Sequence, residues 1–170
     1  MTQPFNADEI FEIAEQIERN GARFYRRAAG FALGDKAQKL LGKLAEMEER
    51  HEKTFAAMRA VLLQRHPDWA ADLADRNGGN EATLYLRALA EGRVFDLQAD
   101  PSALLSGKET LDSILKTAIG LEKDSIIFYL GIKEAVPADL GRDKIDAIIR
   151  EEMTHITILD RELAALQGPK

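Results

Sequence analysis

Two matched sets of glutamate and histidine residues are the part of this sequence best suited to chemistry. Each set joins a lone glutamate to a Glu-x-x-His motif further along the chain. The members are Glu18, Glu48 and His51 in the first set, and Glu122, Glu152 and His155 in the second. A spacing of three residues places the glutamate and the histidine of a motif on one face of a helix. Since carboxylates and imidazoles bind divalent metals, the pattern indicates a metal site.

An internal repeat relates the two sets. Residues 14–27 align without gaps with residues 118–131, and residues 44–55 align with residues 148–159, both at an offset of 104 residues. Two tyrosines, Tyr25 and Tyr129, also occupy equivalent positions in the two copies. Self-similarity of this kind predicts a structural duplication. The chain is therefore predicted to contain two copies of one helical hairpin.

Hydrophobic residues recur every three or four positions over four long stretches, which predicts four amphipathic helices. The expected ranges are 6–33, beginning at Asn6, then 35–66, ending before Pro67, then 108–136, ending before Pro137, and finally 139 or 143 to 167. The inward stripe of the first helix is expected to contain Ile10, Ala14, Ile17, Gly21, Phe24, Ala28 and Phe31. A shorter helix is expected at 81–92. Its apolar residues and those just after it, Leu84, Leu86, Leu89, Val94 and Phe95, form either an interface or a cover for the core.

Length and composition favour one all-α domain. The chain has 170 residues, of which 45% are hydrophobic, 31% charged and only 6% aromatic, a mixture typical of long amphipathic helices. We expect a hairpin at 6–66, a crossover at 67–108 and a second hairpin at 109–167. This arrangement predicts a four-helix bundle with a long, partly helical crossover between the second and third helices.

The four glutamates are expected to meet in one layer of that bundle. Each lies on the apolar stripe of its helix, about 15 residues from a turn near Gly34 or Pro137. Side chains equally far from the turn of an antiparallel hairpin lie side by side. Carboxylates crowded into a core repel one another and lose hydration, so cations must accompany them. Two divalent ions balance the charge of four carboxylates, and two neutral imidazoles complete the coordination.

With these six residues, the sequence resembles the rubrerythrin branch of the ferritin-like di-iron proteins, and the resemblance covers both hairpins. It implies a ferritin-like four-helix bundle that holds two iron ions, with manganese or zinc as alternative metals in purified protein. The implied metal ligands are Glu18, Glu48, His51, Glu122, Glu152 and His155. The resemblance also implies a redox activity, either reduction of peroxide or O₂ or oxidation of ferrous ions, in a homodimer.

The sequence departs from the rubrerythrins at two points. It contains no cysteine, so it cannot hold the cysteine-ligated iron of a rubredoxin domain, and turnover would need an external electron donor. The further carboxylate of the rubrerythrins, one turn before Glu122, is replaced by Ile119. The repeat equivalent of Ile119 is Glu15, which is either an extra ligand or, by preference, part of a solvated helix face. Glu91, in the crossover and outside the repeat, is a weaker candidate for a role at the site. His66 is expected at the surface.

Tyr25 and Tyr129 are the candidate catalytic residues, because each lies seven positions after a glutamate of the predicted site. Their phenols could tune a ligating carboxylate or supply a proton, whereas core packing with a satisfied hydroxyl is an equal alternative. Three functions fit the pattern. A di-iron peroxidase or ferroxidase-like oxidoreductase is favoured over a non-catalytic iron-binding, storage or sensing module, and a metal-free bundle comes last.

Charge and hydropathy restrict the partners. Asp and Glu number 29 against 23 Lys and Arg, giving a formal net charge of -6, so nucleic acid is not an expected partner. The sequence begins without a basic segment followed by an apolar one. It also has no stretch approaching the roughly 20 apolar residues needed to cross a bilayer. We therefore expect a cytoplasmic protein without a membrane partner.

Overall fold

A computed structural model describes residues 7–65, 81–90, 99–136 and 141–168. Within these ranges the chain is helical, with no strand. The α-helices are α1 (Ala7–Phe31), α2 (Asp35–Arg65), α3 (Glu81–Ala90), α4 (Leu111–Ala135) and α5 (Arg142–Gln167), and a short 3-10 helix spans Pro101–Leu104. None of the described helices is long and apolar enough to span a membrane. The predicted all-α class is confirmed, and the helix bounds lie within a few residues of those expected.

Two antiparallel hairpins form a four-helix bundle. The helices α1 and α2 pack along each other, as do α4 and α5, while α1 also lies beside α4 and α2 beside α5. In the turn of the first hairpin, Gly34 has a φ of +100°, a left-handed conformation that glycine adopts without steric cost. In the second, α4 ends at Ala135 because Val136, which precedes a proline, takes an extended conformation. Gly141, with a φ of +92°, then caps the start of α5.

The apolar core consists of two clusters, one on each side of a polar layer. The first cluster includes Ile10, Phe11, Ala14, Phe55, Leu62, Phe128, Ile132 and Ile145, all buried. The second includes Phe24, Ala28, Leu41, Leu44, Ile114, Leu115, Ala118 and Leu159, also buried. Both clusters draw residues from all four long helices, so burial of apolar surface fixes the helices above and below the layer.

The helix of the crossover, α3, covers the core rather than standing apart from it. Leu86 and Leu89 are fully buried against the first cluster, whereas Leu84 remains 54% exposed. Contact with α4 is close at Gly131, where an added Cβ would lie 2.8 Å from the side chains of Leu86 and Tyr85. Of the two predicted roles, the core-covering one applies to Leu86 and Leu89. Val94 and Phe95 lie outside the described residues, as do Asn6, His66, Pro67 and Pro137.

The prediction that Phe31 belongs to the inward stripe of α1 is wrong. Phe31 is 39% exposed, although it lies a regular helical step after Ala28. It lies at the last turn of α1, where its ring packs over Gly107 and under the guanidinium of Arg27. The apolar stripe therefore stops contributing to the core one step before the helix ends.

Candidate metal centre

Each long helix contributes to a single buried layer of polar side chains. Helix α1 contributes Glu18, α2 contributes Glu48 and His51, α4 contributes Glu122, and α5 contributes Glu152 and His155. None of the six is more than 4% exposed. Helical periodicity explains this placement, because each side chain lies one turn from an apolar residue of the core stripes. The structure thus brings together all six residues that the sequence singled out as metal ligands.

The six side chains form two overlapping groups. Oxygen and nitrogen atoms from Glu18, Glu48, His51 and Glu152 lie within 4.8 Å of one another. Atoms from Glu48, Glu122, Glu152 and His155 meet the same criterion. The groups share Glu48 and Glu152, the glutamates of the two Glu-x-x-His motifs. Each group therefore has a glutamate and a histidine of its own, together with two glutamates in common.

The imidazoles approach the carboxylates through their Nδ1 atoms. His51 Nδ1 lies 3.0 Å from Glu152 Oε1 and 3.5 Å from Glu18 Oε2. His155 Nδ1 lies 2.8 Å from Glu152 Oε2 and 3.3 Å from Glu48 Oε1. The rings themselves stack with centroids 5.8 Å apart.

Seven buried atoms of this layer make no hydrogen bond within the described part of the chain, although the Nδ1 atoms and the Glu152 oxygens lie at ion-pair distance from one another. They are Glu18 Oε2, Glu48 Oε1, both carboxylate oxygens of Glu152, Nδ1 of His51, and both ring nitrogens of His155. Buried polar atoms left without a partner cost about 1–3 kcal/mol each. Orphaned oxygen and nitrogen atoms that converge in this way are what metal coordination would satisfy. The donor set therefore fits a pair of divalent cations.

The electrostatics of the layer favour positive charge. Burial raises the pKa of Glu18 well above its ordinary value, and the charges of Glu48 and Glu152 raise it further. Burial also raises the pKa values of Glu48 and Glu152. Burial alone would lower the pKa values of the two histidines, but the adjacent carboxylates outweigh it and raise them to about 11 for His51 and about 12 for His155. Burial is the main reason that the carboxyl pKa values rise, whereas the crowded carboxylates raise those of the histidines, because they stabilise any cation placed among them.

Both predicted tyrosines reach the layer, each across to the other hairpin. The hydroxyl of Tyr129 donates a hydrogen bond to Glu18 Oε1 at 2.5 Å, and the hydroxyl of Tyr25 donates to Glu122 Oε1. Burial, followed by the charge of the carboxylate that it faces, raises the pKa of each phenol well above its usual value. The phenols therefore stay protonated and act as hydrogen-bond donors. They also fill the core, as the alternative interpretation expects, and a part in tuning the site or supplying a proton stays a prediction.

Glu151 contacts the site although sequence reasoning did not select it. Its Oε2 lies 3.0 Å from Nε2 of His51, the ring nitrogen that faces away from the carboxylate layer. Glu151 is half exposed, at 48%, and lies outside the apolar stripe of α5. A residue beside Glu152 on the polar side of the helix carries no periodicity signal, so only the packing of α2 against α5 identifies it.

Glu15 does not lie on a solvated face, contrary to the preferred expectation. It is only 8% exposed, and its carboxylate pairs with Arg59 at 3.4 Å and with Arg19 at 3.6 Å. The reason is that Arg59 from α2 lies over this part of α1, where it also pairs with Asp8. Glu15 belongs to neither group of clustered ligands. Glu91 lies outside the described residues.

A small, partly open cavity leads to the layer between α1, α4 and the segment before the 3-10 helix. Its volume is about 60 Å³, and Tyr25, Glu48 and Glu122 line it on the side of the layer. Gly21 keeps this side open, because an added Cβ there would lie 3.1 Å from Glu48 Oε2. Ser125, the repeat equivalent of Gly21, lines the cavity from α4. A single water needs about 10–15 Å³ of such volume, so the cavity suits molecules of a few heavy atoms.

Comparison with known proteins agrees with this architecture. Residues 1–59, which include Glu18, Glu48 and His51, match the family model described as Rubrerythrin. A crystal structure from Thermotoga maritima, described as a ferritin-like diiron-carboxylate protein, is 23% identical and superposes with a TM-score of 0.71. The match covers 96% of this chain and 98% of that one. No curated protein matches this chain.

The fold and the buried glutamate and histidine layer define a ferritin-like four-helix bundle protein. The structural likeness shows a ferritin-like fold, and the match to the rubrerythrin model covers residues 1–59, in the first hairpin.

Proposed function

We propose that this protein is a di-iron oxidoreductase of the rubrerythrin type, which reduces peroxide or O₂ at the layer of six glutamate and histidine residues. The observation that carries the proposal is the pair of overlapping ligand groups, with seven buried atoms that lack hydrogen-bond partners among the described residues. Carboxylate and imidazole donors suit ferrous iron. The rubrerythrin match and the description of the similar Thermotoga structure favour iron over other divalent metals.

The grouping of the side chains suggests how two ions would be held. Glu18 and His51 would hold one ion, Glu122 and His155 would hold the other, and Glu48 and Glu152 would be shared. Two ferrous ions bound here supply the two electrons that reduction of hydrogen peroxide to two water molecules consumes. The same step consumes two protons.

The protein's own residues admit the substrate and hold a proton near it. The cavity beside Gly21 has room for a molecule the size of hydrogen peroxide. The hydroxyl of Tyr25 holds a proton where this cavity meets Glu122. Because these 170 residues contain no cysteine, they hold no cysteine-ligated iron, and a donor outside this bundle would restore the reduced state.

Anaerobic titration with Fe²⁺ followed by hydrogen peroxide tests the proposal. We expect two ions per chain, and a near-ultraviolet ferric absorption that develops within seconds of adding peroxide. Glu152→Ala removes a carboxylate shared by both groups and should abolish binding of both ions. Glu49→Ala is the matched control, because Glu49 neighbours Glu48 but pairs with Arg26 outside the layer. Absence of any spectral change in the loaded protein would refute the redox assignment.

Steady-state kinetics separate the enzyme from the binding module. With an added electron donor, continued consumption of peroxide beyond one equivalent per site would support the oxidoreductase. Loading of two ions without turnover would instead support an iron-binding, storage or sensing module. Metal content far below two ions per chain after iron-replete expression would refute both and leave a metal-free bundle.

A further inference from the structure

The candidate metal centre has two halves, one containing Glu18 and His51 and the other containing Glu122 and His155. Their ligands are of the same types, but the two histidines differ in their contacts on the side away from the carboxylates. The repeat pairs each glutamate, histidine and tyrosine of the first half with an identical residue of the second. The contact that breaks this symmetry is on the histidines. Nε2 of His51 lies 3.0 Å from the carboxylate of Glu151, whereas Nε2 of His155 is buried and has no hydrogen-bond partner among the described residues.

The sequence accounts for the asymmetry. The residue 104 positions before Glu151 is Met47, which has no group that can accept a strong hydrogen bond. Position 47 lies on α2 one residue before Glu48, just as position 151 lies on α5 one residue before Glu152. From the repeat, position 47 is expected to face His155 as position 151 faces His51. The half that contains His155 therefore lacks the carboxylate that the other half has.

A carboxylate behind an imidazole changes how well that imidazole binds a metal. Both histidines turn Nδ1 toward the clustered carboxylates, so Nε2 is the outer nitrogen in each. When the outer N–H of a metal-binding histidine donates to a carboxylate, the ring is held in one orientation and its metal-facing nitrogen becomes more basic. Loss of such a partner typically lowers metal affinity by about 10–100-fold.

We propose that Glu151 is a positioning residue that makes the two metal positions unequal. The ion held by Glu18 and His51 binds first and more tightly, and the ion held by Glu122 and His155 binds second. The inference rests on the proposed metal site. Its consequence is that a chain in limiting metal carries one ion, at the position of His51, before the second position fills.

Calorimetric titration with Co²⁺ tests this order without measuring any catalytic activity. The wild-type chain should take up two ions in resolved steps whose affinities differ by at least about 10-fold. Glu151→Gln keeps the shape of the side chain but removes its charge. Glu151→Met introduces the residue found at the equivalent position 47 of the other repeat. Both should weaken the first step by about 10-fold or more and bring the two affinities together, with the second step unchanged.

Two further variants sharpen the test. Asp160→Asn removes an exposed carboxylate from the same helix and should leave both steps as in the wild type. Met47→Glu supplies the missing carboxylate and should strengthen the second step. Equal affinities in the wild type, equal losses at both steps in the Glu151 variants, or an unchanged second step in Met47→Glu would each overturn the inference. If the wild type binds no Co²⁺ at all, the proposed metal site itself is wrong.

Discussion

The hydrogen bonds from Tyr25 and Tyr129 join the two hairpins at the level of the buried carboxylates. Each phenol lies in one hairpin and donates to a glutamate of the other, so two reciprocal hydrogen bonds cross between the hairpins. A buried carboxylate oxygen that loses its donor keeps its desolvation cost without compensation. These tyrosines therefore have a structural role that does not depend on any catalytic one.

Replacing Tyr129 with phenylalanine tests this role. We expect the free energy of unfolding of the metal-free protein to fall by about 1–3 kcal/mol, because Glu18 loses its buried hydrogen-bond donor. Urea denaturation followed by circular dichroism measures the change. Tyr85→Phe is the control, because the hydroxyl of Tyr85 donates to the Ile127 carbonyl in a partly exposed position. Equal losses in the two variants would contradict a special role for the buried pair.

At the level of the elements, α3 can pack closely on α4 because Gly131 has no side chain. An added Cβ would lie 2.8 Å from the side chains of both Leu86 and Tyr85, closer than real Cβ contacts allow. The crossover helix therefore depends on one glycine for its docking.

Gly131→Ala is expected to lower the free energy of unfolding by about 1–3 kcal/mol, because overpacking pushes α3 away from α4. Gly120→Ala, in the same helix, is the matched control, since no described atom lies within 4 Å of its added Cβ. It should raise stability by about 0.5–1 kcal/mol through the better helix propensity of alanine. Thermal unfolding of both variants provides the comparison, and stabilisation by Gly131→Ala would contradict the close packing.

The turn before α4 contains a carboxylate held by several donors. Glu109 accepts hydrogen bonds from the backbone N–H groups of Ser106 and Gly107 and from the Ser106 hydroxyl. The bonds from Ser106 are the main reason that the pKa of Glu109 falls to about 2. The folded state thus favours the ionised form.

This carboxylate should make part of the stability depend on pH. The pKa of Glu109 is lower in the folded state than the value of about 4.3 expected in an unfolded chain. Ionised Glu109 therefore stabilises the folded state at pH values above about 4.3. This stabilisation should be lost as the pH falls from about 5 toward 2. We expect Glu109→Gln to be less stable than the wild type at pH 7, and the difference to shrink at pH 3.5, as measured by urea denaturation. A difference that stays constant over this range would contradict the assignment.

For the whole molecule, the important feature is a charged layer between two apolar clusters. The clusters hold the four helices together on either side, while the layer brings four carboxylates into the core at a cost in desolvation and repulsion. A bundle built in this way gains stability when cations enter the layer.

Metal removal should therefore lower the melting temperature. At a free metal concentration 100 times the dissociation constant, one site adds about 2.7 kcal/mol. For a chain of this size, that corresponds to roughly 5–10 °C. Thermal denaturation of the iron-loaded and chelator-treated protein, both kept anaerobic, measures the shift. In Glu152→Ala the two curves should coincide, and a shift of equal size in that variant would place the stabilising metal elsewhere.

The helices and the membership of the buried layer follow from the amino-acid sequence. Helical periodicity decides which face a residue lies on, and the repeat shows that Glu18 and Glu122, like the two Glu-x-x-His motifs, occupy equivalent inward positions. Distance from the turn then predicts their height in the bundle, because an antiparallel hairpin aligns residues equidistant from it.

The contacts that depend on how neighbouring helices meet follow from the folded arrangement and not from the sequence pattern. The burial of Glu15 under Arg59 and the contact of Glu151 with His51 each join side chains from two helices, and the exposed Phe31 packs over Gly107 of the loop before α4. Periodicity assigns a side chain to a face of its own helix, but it does not give the rotation and register of the helix opposite. Those follow from packing of the whole core, and they also shape the cavity beside Gly21.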